Sequence, residues 1–536
     1  MSKLCILLHF YQPPNQQEDI LMRIVNECYL PLTEGLLKID DAKLVVNISG
    51  CLTELLMEKG YSRVIDNLRK LAAKGCVEFT GSAMYHAFLP LIPEEEIVRQ
   101  VAINNETNIK YFGDLYRPSG FFSPEMAVNS KVLRILSSLG YKWIAAPQLS
   151  YPSGNPAINK LYKYHADSDI GVKVSDTYIL FRNKRVSSLI LSAICKDSAS
   201  LYKETMDMHP NDSQSAYSAV DTTYLFAVMD AETFGHHRIG HEKALFNVLN
   251  DTHFKSYLAS DLVTEYQADA IATSIRACTW TNEEQDFWLD VEKTKSTDTK
   301  AFILWNDPSN PIHTLQWQLL NSVLTCVTQY KNKNLGQWTK ARLALDRAIS
   351  SDQFWWASAK PWWSLEMIEE GAYNLKEVLS NLPDEMIVKK KTEVLYRKIL
   401  DKAFEWQRTG YIRKKHLENS STYLRPTLSK RTPSEWYNQL ILEFEDEMNV
   451  ASAAHNFEKA IKWRDALTKL QNGNDIYDVL HVVDELWSAR NLPLVKPFLE
   501  HTWEEFSAYA KEHFKDVSSK EEFERWKKDN KTHTTK

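Results

Sequence analysis

Two carboxylates and two histidines fall within eight residues in the stretch MDAETFGHH, as Asp230, Glu232, His236 and His237. Such a set suits either a bound metal ion or proton transfer without one. With His9 as a further donor, the group has the atoms that zinc prefers. The HExxH and HxxEH spacings are absent, however, and the Asp-Ala-Glu order lacks the paired aspartates of metal-dependent deacetylases. Adjacent histidines also tend to point in different directions. No metal and no cofactor is therefore expected, and a metal-dependent, deacetylase-like hydrolase stands as the alternative of another class.

A further carboxylate, Glu125, closes the segment GFFSPE and changes the chemistry available. Two carboxyl groups flanking a bond can act as proton donor and nucleophile, the pair that glycoside hydrolysis requires. A gap of about 5–5.5 Å between them gives retention and a wider one inversion. Nearby in the pattern lie His9, Tyr11, Gln12, Glu78, His86 and Arg182, a supply of oriented donors and acceptors for a hydroxyl-rich ligand. Sixteen tryptophans and 24 tyrosines offer flat faces for sugar rings, or fill a large core.

Whether these residues meet depends on the elements that carry them. Seven short apolar runs occupy 4–10, 43–49, 76–81, 120–125, 141–147, 177–183 and 223–230. Most are apolar on both faces, as strands covered on both sides would be. Amphipathic stretches such as 61–75 and 130–140 lie between them, the second closed by Gly140. Seven βα units in series predict a parallel sheet, barrel-like or doubly wound. His9 ends the first strand, Glu125 the fourth and Asp230 the seventh, and in such folds strand C-termini converge on one mouth.

Beyond about residue 310 helical periodicity takes over, and 413–434 reads as a polar linker or loop. The tail 527–536 is expected to be disordered. At 536 residues two or three domains are expected. A net charge of −6 gives no reason to expect nucleic-acid binding. Seven cysteines without a CxxC pair argue against a disulfide framework or a structural zinc site. The short apolar run at the start reads as a strand rather than a signal peptide, and no run is long enough to span a membrane. A cytoplasmic location is expected.

HFYQP (9–13), GCVEFTGSAMYHAFLPL (75–91), GFFSPE (120–125) and MDAETFG (229–235) resemble, in order and spacing, the motifs of glycoside hydrolase family 57. That family comprises α-amylases, 4-α-glucanotransferases, branching enzymes and amylopullulanases, and the resemblance covers roughly residues 3–375. It implies an α/β fold: an incomplete TIM-like (β/α)7 barrel over 1–310, a helical domain at 311–410 and a mostly helical C-terminal region at 411–536. It also implies a retaining mechanism with Glu125 as nucleophile and Asp230 as acid/base. His9 and Gln12 would line the subsite of the sugar to be cleaved, with Glu78 and His86 supporting it. Tyr11 replaces the second histidine of the first motif, Phe122 a common tryptophan of the third, and Ala231 a glycine of the fourth. The best match to the fifth region is 278–288, with Trp280 and Glu283 as sugar contacts. Trp355, Trp356, Trp362 and Trp363 would pave the groove or pack helices onto the barrel. Glu232, His236 and His237 would orient the loop or the sugar.

The implied substrate is an α-glucan or maltooligosaccharide, cleaved as by an α-amylase. The alternative within the family is a 4-α-glucanotransferase or branching enzyme, and outside it a non-catalytic glucan-binding scaffold.

A separate feature lies at 441–471. Phe444, Met448, Phe457, Ile461 and Leu467 recur near helical spacing, and Asn456 marks a turn between two helices. Phe457, Ala460, Arg464, Asp465 and Leu467 resemble the core of the UVR motif of excinuclease subunits. The resemblance implies an amphipathic hairpin that meets a protein partner or a second copy.

Overall fold

In the computed structural model the described residues run from 2 to 472, excluding 155, 158–159, 166–175, 192–197, 207–223, 239, 251–252, 282–300, 360–361, 384–386 and 419–433. They fall into two compact units, divided between Leu424 and Arg425.

The first unit is built on a curled sheet in which all seven apolar runs form strands. These are β1 (Ser2–Phe10), β2 (Leu44–Ile48), β3 (Val77–Gly81), β4 (Gly120–Phe121), β5 (Trp143–Pro147), β7 (Tyr178–Arg182) and β8 (Tyr224–Asp230). They lie parallel in the order β7-β5-β4-β3-β2-β1-β8. Three short strands were not legible beforehand: β6 (Tyr162–Tyr164) and β10 (Ile271–Thr273) extend the β7 edge, and β9 (Phe254–Ser256) pairs with β1. No strand ladder closes the ring between β7 and β8 among the described residues. The ring is bridged there by Asn183 N–H donating to Phe226 O (2.7 Å) and Arg182 Nε to Val228 O (3.0 Å). The incomplete (β/α)7 barrel expected from the sequence is the fold observed.

Strand alternation decides what faces the barrel interior. On β1, Leu4, Ile6, Leu8 and Phe10 face the surrounding helices, while Cys5 and Leu7 join the interior cluster with Val45, Trp143, Leu180, Phe226 and Val228. Continuing the inward phase by two residues brings His9, Asn47, Arg182 and Asp230 to the mouth. The parallel register pairs His9 with Asp230 and with Asn47.

The fourth strand differs from its sequence reading. It spans two residues only, because Ser123 and Pro124 turn the chain into a short 3-10 segment, Pro124–Met126, that carries Glu125. Gly120 has no room for a side chain, since a Cβ there would lie 1.9 Å from the Trp143 ring.

The helices Pro311–Tyr330, Leu335–Ala348, Leu365–Glu377 and Ile387–Arg408 share one apolar core with Phe88, Val128 and Ile144 of the barrel side. Asn310 caps the first of them by accepting from Ile312 N–H at 2.9 Å. The second is tied to the barrel helix Glu94–Phe112 by a buried charge cluster. Arg342 donates to both Glu96 oxygens (2.8 and 2.9 Å) and to Asp346, which also pairs with Arg99. Of the polar stretch 413–434, the first residues continue the helix Tyr411–Glu418; 419–433 lie outside the described residues, as does the tail.

The second unit contains the helices Ser434–Ala453 and Phe457–Asn472, joined by a turn in which His455 is left-handed (φ 56°) and Asn456 accepts from Lys459 N–H. Phe444, Ala451, Trp463, Ala466 and Leu470 are buried between them, with Met448 and Leu467 against this core. Phe457 and Ile461, which share the helical spacing of these residues in the sequence, point outward and are about half exposed.

Adding a methyl group at Gly120 is expected to cost roughly 1–3 kcal/mol through overpacking against Trp143. A Gly120→Ala variant should show this as a lowered thermal midpoint.

Candidate active site

Glu125 stands at the mouth in a left-handed backbone conformation (φ 59°), as does the following Met126 (φ 44°). Such conformations are costly for residues other than glycine and persist where the surroundings impose them. Here the surroundings are explicit. Trp280 N–H donates to the Glu125 carbonyl (3.2 Å), Trp280 Nε1 donates to Glu125 Oε2 (2.9 Å), and an antiparallel bridge joins Val128 to Cys278.

Asp230 is reached from the other side of the ring, at the end of β8. Arg182, inward at the end of β7, lies close enough to draw its carboxyl downward, while burial pushes it up, to about 6 overall. Burial is also the largest influence raising Glu125, and the charges of Asp352 and Asp230 add to it. The Trp280 bond opposes the rise, and the result is about 8. The order runs against the sequence expectation that Asp230 is the protonated member at rest. The physical reason is the Arg182 cation, which faces Asp230 and has no counterpart at Glu125. Between about 6 and 8 the pair holds one proton in total, shared as a coupled system.

His9 donates from Nδ1 to Asn47 Oδ1 (2.6 Å), because Asn47 Nδ2 is committed to Thr80 Oγ1 (2.8 Å). Burial lowers His9 to about 4, so at neutral pH its ring is neutral and Nε2 is an acceptor. It stacks on Phe122 (4.7 Å between centroids) and on His86 (5.4 Å). His86 is itself left-handed (φ 55°), stacked on Tyr11 at 3.9 Å, and kept neutral by burial. Its Nε2 is buried without a hydrogen-bond partner among the described residues. A buried polar atom without a partner at a site mouth is a place for a ligand hydroxyl.

Asp352 was missed in the sequence. It follows the helical region's Ser350 and Ser351 and reaches the mouth from outside the barrel. Its Oδ2 accepts from Tyr11 OH (2.6 Å) and Ser350 Oγ (3.0 Å), and its Oδ1 lies 3.8 Å from His86 Nδ1. Ser351 Oγ bonds His86 Nδ1 at 3.0 Å. The only sequence signal was an acidic residue directly before the tryptophan cluster. Beyond Asp352 opens a cavity of about 430 Å³, bordered by Pro13, Asn15, Arg347, Gln353, Glu370 and Asn374.

The other expected site residues separate into groups. Gln12 and Glu232 meet: Gln12 Nε2 donates to Glu232 Oε1 (3.2 Å), as does Tyr29 OH. Tyr29 comes from a π-helical turn, Val25–Tyr29, between Ile24 and Leu30. The same turn supplies Glu27, whose carboxylate bonds His236 Nδ1 at 2.7 Å. Gly235 is required where the two segments touch, since it has φ 137° and a Cβ would lie 2.0 Å from the Glu27 carbonyl oxygen. His237 is exposed beside His236. Glu78 is placed elsewhere, two residues below Thr80 in the barrel, accepting from Ser119 Oγ (2.9 Å), Trp143 Nε1 (3.0 Å) and Ser260 N–H (2.9 Å). Trp355, Trp356 and Trp362 contact one another just after Asp352, with centroids 4.6–5.7 Å apart. Glu283 lies outside the described residues. Among the described residues no group of three His, Cys, Asp or Glu side chains is placed to hold a metal ion.

An open parallel barrel of seven strands with two carboxylates at its C-terminal mouth defines the fold class. Residues 8–277, half of the chain, match the model of glycosyl hydrolase family 57, and the chain belongs to that family. Residues 438–473 match the UvrB/uvrC motif. The chain is 24% identical to alpha-amylase 1 of Dictyoglomus thermophilum over 31% of its own length and 24% of that protein's. Its matches to curated relatives span 24 to 46% of their lengths. Its fold is similar to a GH57-type branching enzyme of Pyrococcus horikoshii (TM-score 0.53, 14% identity, covering 74% of this chain and 94% of that one). It is also similar to a 4-alpha-glucanotransferase of Thermococcus litoralis (TM-score 0.52, 15% identity, 72% and 61%).

Raising a carboxyl above its usual 4.5 means that the folded state holds a proton that the unfolded chain has already lost. Stability from Glu125 is therefore full below about 4.5 and is lost as pH rises through about 8. A Glu125→Gln variant should melt higher than the parent at about pH 8–9, by on the order of 1 kcal/mol or more, and equally at about pH 4.

Proposed function

We propose that the protein is a retaining glycoside hydrolase or transglycosidase acting on α-glucans, with Glu125 as nucleophile and Asp230 as acid/base. The observation that carries this reading is the convergence of Glu125 and Asp230 on one buried mouth, holding a single proton between them near neutral pH. Double displacement requires that stoichiometry. Asp230 gives the proton to the glycosidic oxygen as the bond to the anomeric carbon breaks, and a Glu125 oxygen attacks that carbon. The carboxylate left on Asp230 then takes a proton from water, or from the hydroxyl of a second sugar, which attacks the glycosyl-enzyme and releases Glu125. Water gives hydrolysis and a sugar gives transfer. Neutral His9 and His86, with Asp352 and Gln12, would bind hydroxyls of the sugar undergoing cleavage.

The proton order at rest favours a second reading in which the roles are exchanged, Glu125 giving the proton and Asp230 attacking. Azide separates the two. In a nucleophile variant azide enters from the vacated face and gives an inverted glycosyl azide, whereas in an acid/base variant it attacks the intermediate and gives a retained one.

Glu125→Gln and Asp230→Asn should each lower turnover of soluble starch or maltoheptaose by about 10³-fold or more. Full activity in both would sink the catalytic reading and leave a glucan-binding scaffold. With maltoheptaose, shorter products alone mean hydrolysis and longer ones mean transfer. Glu125→Ala with azide should give the inverted product.

For the second unit we propose a protein contact or self-association through the outward residues Phe457 and Ile461. Replacing both with serine should leave the hairpin core intact and abolish concentration-dependent association in sedimentation. An assembly state identical to the parent's would end that proposal.

A further inference from the structure

Trp280 touches the machinery of both carboxylates. Its Nε1–H points at Glu125 Oε2 (2.9 Å), and among the described residues no other side chain donates a hydrogen bond to that carboxylate. Its ring face carries the Arg182 guanidinium, 5.7 Å from the centroid. Arg182 is the cation that acts on Asp230. The indole itself is held by three independent contacts. Its backbone N–H bonds the Glu125 carbonyl, and its ring meets His9 and Phe122 edge-on at 5.9 and 5.5 Å. A residue fixed this firmly, with its polar atom already committed to a carboxylate, is not free to spend that atom on a sugar.

We propose that Trp280 is a positioning residue: its N–H aims and holds the Glu125 carboxylate for attack, and its ring face holds Arg182 toward Asp230. This goes beyond the sugar-contact role expected for it and rests on the reading of Glu125 as nucleophile. The physical reason is that a hydrogen bond donated to a carboxylate favours its ionised form. Glu125 needs that help. It is buried, and Asp352 and Asp230 oppose its charge. His86, the near titratable group with Nδ1 4.0 Å away, is neutral, as is His9; Tyr11 is committed to Asp352. Arg182 cannot supply the same support, because its charge acts on the other carboxylate. The two interactions of the indole therefore work on opposite members of the pair. The N–H draws the shared proton off Glu125, and the seated guanidinium limits how far Asp230 rises to receive it.

The test is the pH dependence of kcat/KM on maltoheptaose for Trp280→Phe, which keeps the ring face and loses the N–H. The alkaline limb should move up by about half a unit or more, because the higher of the pair's two ionisations is that of Glu125 and becomes harder. At its optimum kcat should fall about 10–100-fold with KM changed less than about threefold. Trp280→His restores a ring N–H and should return the limb most of the way. Trp280→Leu, which also lacks the N–H, replaces the Phe variant should that one fail to fold. A raised KM with an unmoved limb would mean a sugar-stacking role, and lowered activity with an unmoved limb a structural one; either overturns the proposal. The azide product of Glu125→Ala reads the nucleophile directly. A retained azide there refutes the role of Glu125, whereas an inverted azide with an unmoved limb refutes Trp280 alone.

Discussion

The parallel register between β1 and β8 is the constraint from which the site is built. It sets His9 level with Asp230 and, through β2, level with Asn47. A shift of one residue along either strand would turn His9 or Asp230 outward among the helices and send Leu8 or Met229 into the mouth. The apolar packing of Leu4, Ile6, Leu8 and Phe10 against the helical layer therefore fixes the geometry of the mouth as well as the fold. Chemistry and core are held by alternate residues of the same strand.

Much of this was legible because it follows from periodicity. Seven runs, most of them apolar on both faces, specify seven covered parallel strands, and residues two apart on such a strand share a side. His9 and Asp230 could be placed at the mouth on that basis alone. Glu125 was placed correctly in space but for an incomplete reason, since β4 ends at Phe121 and a left-handed turn carries the carboxylate onward. Positive φ at Glu125, Met126 and His86 leaves no mark in residue type. Local preference argues against it, and only tertiary contacts impose it. Asp352 was hidden for another reason, because it reaches the site from a helical segment more than a hundred residues beyond the last barrel strand. Glu78 shows the converse. It lies on the third strand as read, but two residues before Thr80 and bonded to Trp143, a position set by register with β2 that residue type does not mark.

The mouth gathers four acids, Glu125, Asp230, Glu232 and Asp352, each raised by burial. Acids this close work against folding unless each is neutralised or hydrogen-bonded. The protein divides the task. Tyr29 and Gln12 serve Glu232, Tyr11 and Ser350 serve Asp352, Trp280 serves Glu125, and Arg182 faces Asp230. The supporting groups come from the π-helical turn, the first loop, the helical region and the segment after β10. This is why regions distant in sequence must fold together before the mouth exists.

The gap between β7 and β8 has a mechanical meaning. Every other neighbouring pair of main strands is clamped by a ladder, but these two meet through two bridging hydrogen bonds, one of them made by Arg182 itself. The spacing between Arg182 and Asp230 is thus set by individual hydrogen bonds and by the packing of the outer layer rather than by a ladder. Packing changes far from the mouth, on the helices that follow β7, can widen or narrow it without disturbing His9, Asn47 or Glu125. Such a seam lets the acidity of one carboxyl be retuned by drift in the outer layer while the rest of the ring stays rigid.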